Sequence, residues 1–168
     1  MTAYKVTIER TTECPTAVVK ADTTAREFPR LWPALLDEVW AFLRTTPGLW
    51  TDGHNVFLYR PNAGGVGLAV EAGVQVTGSF QAVGRVVPSK LPAGEAARAV
   101  HTGPPAQIGA AHHAVRAWCS QHRRELTGVS WEIYGDPDPE THDFDVAVYW
   151  QLQTPNDDPS DAETAVKG

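Results

Sequence analysis

Trp131-Glu132-Ile133-Tyr134-Gly135-Asp136-Pro137 joins a short strand to a turn. Its first four residues are the aromatic and β-branched types that suit a pleated sheet, and Gly-Asp-Pro ends the run. The two-residue period of a strand puts Glu132 and Tyr134 on one face and Trp131 and Ile133 on the other. A carboxylate therefore shares a face with a phenol, and no lysine or arginine stands within five positions on either side. Upstream, residues from about Ala106 to Arg124 place Ile108, Ala111, Val115, Trp118 and Cys119 on one side of a helix. Before that helix, Leu91 to His101 reads as a turn followed by a strand. Downstream, Phe144 to Leu152 alternates as the last strand.

The first half of the chain shows the same order. Tyr4 to Glu9 and Thr16 to Ala21 alternate as strands, and Phe28 to Arg44 carries two adjacent apolar stripes at helical spacing. Leu31, Leu35, Val39 and Phe42 form one stripe; Trp32, Leu36, Trp40 and Leu43 form the other. Pro29 and Pro33 suit only a first turn, so the regular helix is expected to begin near Pro33, and Thr45-Thr46-Pro47-Gly48 stops it. Val56 to Tyr59 and Leu68 to Val76 are the next strands, joined by Asn62-Ala63-Gly64-Gly65, and Ser79 to Val87 leads on to another. Leu43 precedes Tyr59 by 16 residues, as Trp118 precedes Tyr134. Each half thus reads strand–helix–strand–strand, a repeat of structure with little residue identity.

The chain has 168 residues, with 14 Lys+Arg against 20 Asp+Glu, for a net charge of −6. That length fits one domain, or two small modules in one body. The acidity is local: residues 1–134 hold 13 basic and 11 acidic side chains, and residues 135–168 hold 1 and 9. The near-neutral body lacks the basic stripe of a nucleic-acid binder. Residues 154–168 read as a disordered acidic tail. No apolar run is long enough for a membrane span and the first residues do not resemble a signal peptide, so a reducing cytoplasm is the expected compartment. Cys14 and Cys119 form no CxxC pair.

Leu91-Pro92-Ala93-Gly94, Val100-His101-Thr102-Gly103-Pro104, Trp118 and Trp131 to Pro137, in that order, resemble the second half of the gyrase-inhibitor-like (GyrI-like) small-molecule-binding domain. Val70-Glu71-Ala72-Gly73-Val74-Gln75-Val76 resembles its first-half strand. The resemblance covers roughly residues 4–153, with halves of about 4–80 and 81–153. It implies an α+β fold of two β-α-β-β modules related by a pseudo-two-fold. Their strands would form one curved antiparallel sheet, with two helices beside a central cleft. In that family the domain is the effector-binding half of multidrug-responsive regulators of the AraC and MerR classes. It also stands alone in proteins that protect gyrase, and in some hydrolases of strained, DNA-alkylating cyclopropane compounds. The family's Gly-Pro-Tyr is here Gly103-Pro104-Pro105, so no contact of that tyrosine is carried over. With no helix-turn-helix ahead of the domain, the chain is not expected to bind DNA by itself.

Glu132 is the leading candidate for function. A carboxylate among aromatic walls suits a lipophilic cation: rings supply dispersion and cation–π attraction, and the carboxylate is the counter-ion. Tyr134, Tyr59, Phe57, Trp131, Tyr149, Trp118 and His101 are the accompanying candidates for a cleft wall, with Trp50 a further roof. Only one of Tyr149 and Trp150 can face the cleft, because they alternate. Glu71, on the strand after Tyr59, is the pseudo-symmetric candidate to Glu132, with a cross-strand ion pair as its structural alternative. Trp32 and Trp40, at i and i+8, are expected in the core. In an enzyme, Glu132 would be the general base on a water that opens a strained electrophilic ring, and Tyr134 or Tyr59 would donate to the developing oxyanion.

Other chemistries are set aside. His112 and His113 are adjacent and point about 100° apart on a helix. His112 to Cys119 spans about two turns, roughly 10 Å. A metal site is not expected, and these are read as partly exposed helix histidines. Gly64-Gly65-Val66-Gly67 lacks GxGxxG and a Walker lysine, and there is no GxSxG elbow. No cofactor is expected. The leading expectation is a stand-alone binding protein for a lipophilic aromatic, perhaps cationic, small molecule; the alternative is a cyclopropanoid-type hydrolase. A protein contact through the acidic tail ranks third.

Overall fold

The computed structural model describes residues 3–49, 53–62 and 67–154. The acidic tail beyond 154, Trp50 and the Gly64–Gly65 turn lie outside the described residues. Among those described, eight strands build one antiparallel sheet and two α-helices pack on it. The strands are β1 (Thr7–Thr11), β2 (Cys14–Thr23), β3 (Asn55–Pro61), β4 (Leu68–Gln75), β5 (Val86–Leu91), β6 (Gly94–Gly103), β7 (Leu126–Pro137) and β8 (Phe144–Leu152). The helices are α1 (Phe28–Arg44) and α2 (Gly109–Gln121), the latter preceded by a 3-10 turn, Pro105–Gln107.

The strand order is β1-β6-β8-β7-β3-β4-β2-β5. Exchanging β1 with β5, β2 with β6, β3 with β7 and β4 with β8 turns this order into its own reverse. The two-fold of the repeat therefore passes between β3 and β7. Each half carries one strand more than strand–helix–strand–strand, and that leading strand is traded. β1 pairs with β6 of the second half, and β5 with β2 of the first. Only Thr12-Glu13 joins β1 to β2, and only Pro92-Ala93 joins β5 to β6. Two-residue connections between strands so far apart in the order require the sheet to curl, so that its edges meet at one end.

Alternation divides the core between the two faces. Val70, Ala72 and Val74 of β4 and Ala17 and Val19 of β2 meet Leu35, Leu36, Val39 and Leu43 of α1. On the same face, Ala97 and Ala99 of β6 and Leu152 of β8 meet Val115 and Cys119 of α2. The opposite face holds Val56, Leu58, Leu91, Ala96 and Trp131, gathered by the curl.

α1 starts at Phe28, a turn earlier than the proline positions suggested, and keeps Pro33 inside. Pro33 forfeits only the bond to the Pro29 carbonyl. Phe28 remains buried against the sheet, and its ring packs edge-on to Phe57 at 5.0 Å. Gly73 marks a tight β2–β4 approach, since a Cβ there would lie 1.9 Å from the Ala17 carbonyl oxygen.

Candidate functional site

The helices leave the middle of the sheet uncovered, and a cavity of about 640 Å³ opens there, over β3 and β7. Phe28, Trp32, Leu36 and Trp40 of α1 form one wall; Pro105, Ala106 and Ile108, leading into α2, form part of the other. Phe57 and Tyr59 of β3 and Glu132 and Tyr134 of β7 line its base, and Asp136, Pro137 and Phe144 lie toward the end of β7. The aromatic rings interlock: Phe57 meets Tyr134 edge-on at 5.3 Å, and Trp32 lies tilted against Phe57 at 5.9 Å. Among the described lining residues there are two carboxylates and one imidazole, His54, but no lysine or arginine.

Register explains how the base is assembled. Phe57 pairs with Glu132 across the β3–β7 seam, so both point to the helix face, while Leu58 and Trp131 point away together. Glu132 is 3% exposed and carries no ion pair with lysine or arginine among the described residues. Its Oε1 accepts the hydroxyls of Tyr59 at 2.9 Å and Tyr134 at 2.8 Å. Its Oε2 lies 2.6 Å from His112 Nε2 of α2. Behind that ring, the Trp150 indole N–H donates to His112 Nδ1 at 3.0 Å. An indole nitrogen can only donate, so Nδ1 presents a lone pair and the ring's proton sits on Nε2, donating to Glu132. Three protein donors thus hold a carboxylate at the base of an apolar cavity.

The phenols are tuned to remain protonated. Burial pushes Tyr59 well above the usual tyrosine value, and the nearby Glu132 charge adds to the effect. Tyr134 is raised too, by burial first and by Glu132 second.

The candidate residues separate by face. Glu132, Tyr134, Tyr59 and Phe57 come together at the cavity; the other five do not line it. Trp131 is buried on the far face, where Tyr149 stacks on it with ring centroids 5.2 Å apart. Trp150 is the partner that faces the helices. Glu71 also lies on the far face, bound by Arg60 at 2.5 Å and by the Ser89 hydroxyl. It sits on β4, whose counterpart is β8, so it is no symmetry mate of Glu132; its cross-strand ion pair is the structural alternative. Trp118 stacks on His122 along α2 at 3.9 Å. His101 is buried between the Tyr4 hydroxyl and the Pro104 carbonyl, each 2.9 Å away. It fixes the turn before the 3-10 segment rather than facing the cavity.

Sequence reasoning missed three residues. His112 was read as a partly exposed helix histidine, yet it bonds Glu132 directly. Trp32 and Trp40 were assigned to the core, but both line the cavity, and Trp32 is 39% exposed. The signal available for His112 was its place beside the buried Ala111–Val115 stripe, together with a strand carboxylate that needed a donor.

No curated protein matches the chain. Among solved structures, the C-terminal domain of EcmrR superposes with a TM-score of 0.74 at 18% identity, covering 91% of this chain and 99% of that one. Of the EcmrR chain in its complex with DNA, this chain spans 58%. SAV2435 bound to tetraphenylphosphonium superposes at 0.63 with 14% identity, over 89% of this chain and 94% of that one. A hydrolase from Listeria innocua superposes at 0.55 with 11% identity, over 89% and 92%. At these identities the likeness is one of fold. The sequence itself matches a family description over residues 4–153, and with the doubled, strand-exchanged sheet it establishes that the chain belongs to the GyrI-like small molecule binding domain family.

Proposed function

We propose that this chain binds a lipophilic, aromatic, monocationic small molecule in the cavity between α1 and α2, with Glu132 as its counter-charge. The supporting observation is the buried Glu132 carboxylate, bonded to two phenols and an imidazole in an aromatic cavity whose described lining has no lysine or arginine. Such a carboxylate attracts an organic cation whose own hydration is weak, while Phe57, Trp32 and Tyr59 supply ring contacts. The fold neighbour with tetraphenylphosphonium bound supplies a suitable probe.

The hydrolytic alternative requires a tyrosine hydroxyl free to meet an oxyanion. Both Tyr59 and Tyr134 instead donate to Glu132 Oε1, which favours binding over turnover.

A unit charge about 5 Å from a carboxylate at an effective dielectric near 20 is attracted by about 3 kcal/mol, roughly a hundredfold in affinity. Calorimetry with tetraphenylphosphonium should therefore show Glu132→Gln weakening binding by about that factor. The neutral analogue triphenylphosphine oxide should lose little. Equal weakening of cation and neutral probe would refute the counter-charge. Product formation from a cyclopropane-type alkylator, lost in Glu132→Gln, would replace binding with hydrolysis.

A further inference from the structure

The Glu132 carboxylate is held through α2 by a ring that is itself held from behind. His112 meets Glu132 with one nitrogen and the Trp150 indole with the other, and the three groups come from α2, β7 and β8. We propose that Trp150 is a positioning residue that fixes the charge of the cation site, by holding His112 in the neutral form with its proton on Nε2. The proposal rests on the binding reading above and adds to it a determinant outside the cavity wall.

The chemistry is one of donors and lone pairs. A neutral imidazole has one of each, and the indole N–H can be satisfied only by the lone pair. With Nδ1 taken, Nε2–H must face Glu132 Oε2. Formation of imidazolium would put a second N–H at Nδ1, facing the indole N–H across 3.0 Å, and the Trp150 bond would be lost. The Arg116 guanidinium lies 5.3 Å from the centre of the Trp150 ring and places positive charge near the same spot. Imidazolium would also cancel the charge that a bound cation needs, converting an anionic site into a neutral pair.

Every other group facing the ring fits this arrangement. Glu132 and Tyr134 come from β7, Tyr59 from β3 with its ring 6.2 Å from His112, Trp150 from β8 and Arg116 from α2. Both phenols are pushed above their usual range and stay neutral. The neighbouring His113 is exposed.

Two measurements on the full chain test the role. Nitrogen NMR of histidine-labelled protein, with no ligand, should show His112 Nε2 protonated and Nδ1 bare at neutral pH. A proton on Nδ1 overturns the proposal whether or not any variant folds. Calorimetry with tetraphenylphosphonium from about pH 8 to 5.5, across the ordinary imidazole range, then compares wild type with Trp150→Phe. Trp150→Phe should lose about tenfold relative to wild type toward the acid end, where Nδ1 is no longer engaged by the indole. Triphenylphosphine oxide should show no such dependence, and adding His112→Gln to Trp150→Phe should flatten the profile. A loss that is equal at every pH, and equal for both probes, would assign Trp150 to packing alone and overturn the proposal. If tetraphenylphosphonium binds no variant at any pH, the cation-site reading fails, while the NMR result still decides whether Trp150 sets the His112 tautomer.

Discussion

Tyr59→Phe separates what the hydroxyls do for Glu132 from what they do for a ligand. The substitution keeps a ring edge-on to Phe28, at 5.8 Å in the native protein, and removes only the hydroxyl 2.9 Å from Oε1. A hydrogen bond to a charged acceptor contributes about 1.5–3 kcal/mol net. Tyr134 still donates to the same oxygen at 2.8 Å, so the carboxylate is not left bare. The loss then falls at the lower end, about 1.5 kcal/mol. For a domain of this size that lowers the melting temperature by roughly 3–6 °C. Affinity should move the other way. With one donor gone, Oε1 regains acceptor capacity toward the cavity, and a cation should bind roughly three- to tenfold more tightly. Calorimetric melting and titration with tetraphenylphosphonium read both quantities on one protein. If stability and affinity fall together, the hydroxyl serves the ligand and the reasoning about Glu132 is wrong.

Alkaline unfolding gives an independent check on the same pair of phenols. Their folded-state affinity for protons is raised, so their contribution to stability is complete below about pH 10, where unfolded tyrosine titrates, and is lost as pH climbs above it. Denaturation curves should steepen above about pH 10 in wild type and less so in Tyr59→Phe/Tyr134→Phe; identical slopes would refute the assignment. Gly73→Ala tests the tight β2–β4 approach. A Cβ 1.9 Å from the Ala17 carbonyl oxygen and 2.8 Å from Val18 Cα meets backbone, which cannot rotate away. The cost should be about 3 kcal/mol or more, combining overpacking with weakened ladder bonds, and a melting temperature within about 2 °C of wild type would exclude it.

Much of the fold was legible because alternation and helical spacing are local. Phe144–Leu152 and the α1 stripes follow directly from side-chain period, and the doubled order of elements from their repetition. Strand lengths were harder: β7 runs from Leu126 to Pro137, well beyond Trp131–Tyr134, because pairing with β8 resumes at Leu126–Leu152 and at Pro137–Phe144, across register shifts that carry Thr127-Gly128 and Gly135-Asp136. The site was less legible. Spacing gives the direction of Trp32 and Trp40 around α1 but not where the neighbouring helix stops covering them. Period-2 reasoning put Glu71 and Glu132 on defined faces of their own strands, but not on the same face of the sheet. His112 and Glu132 are 20 residues apart, and Tyr59 and Glu132 are 73 apart; their meeting depends on β3 lying beside β7, a consequence of the exchanged topology.

That exchange also limits how the protein can breathe. β5, the leading strand of the second half, pairs with β2 of the first, and β1, the leading strand of the first half, pairs with β6 of the second. The halves are therefore latched to each other at both margins as well as along the β3–β7 seam. A jaw-like parting of the repeats would have to break three ladders together. The Trp32 side of α1 and the Pro105–Ile108 approach to α2 flank the cavity on either side, and the floor beneath it is a single continuous sheet.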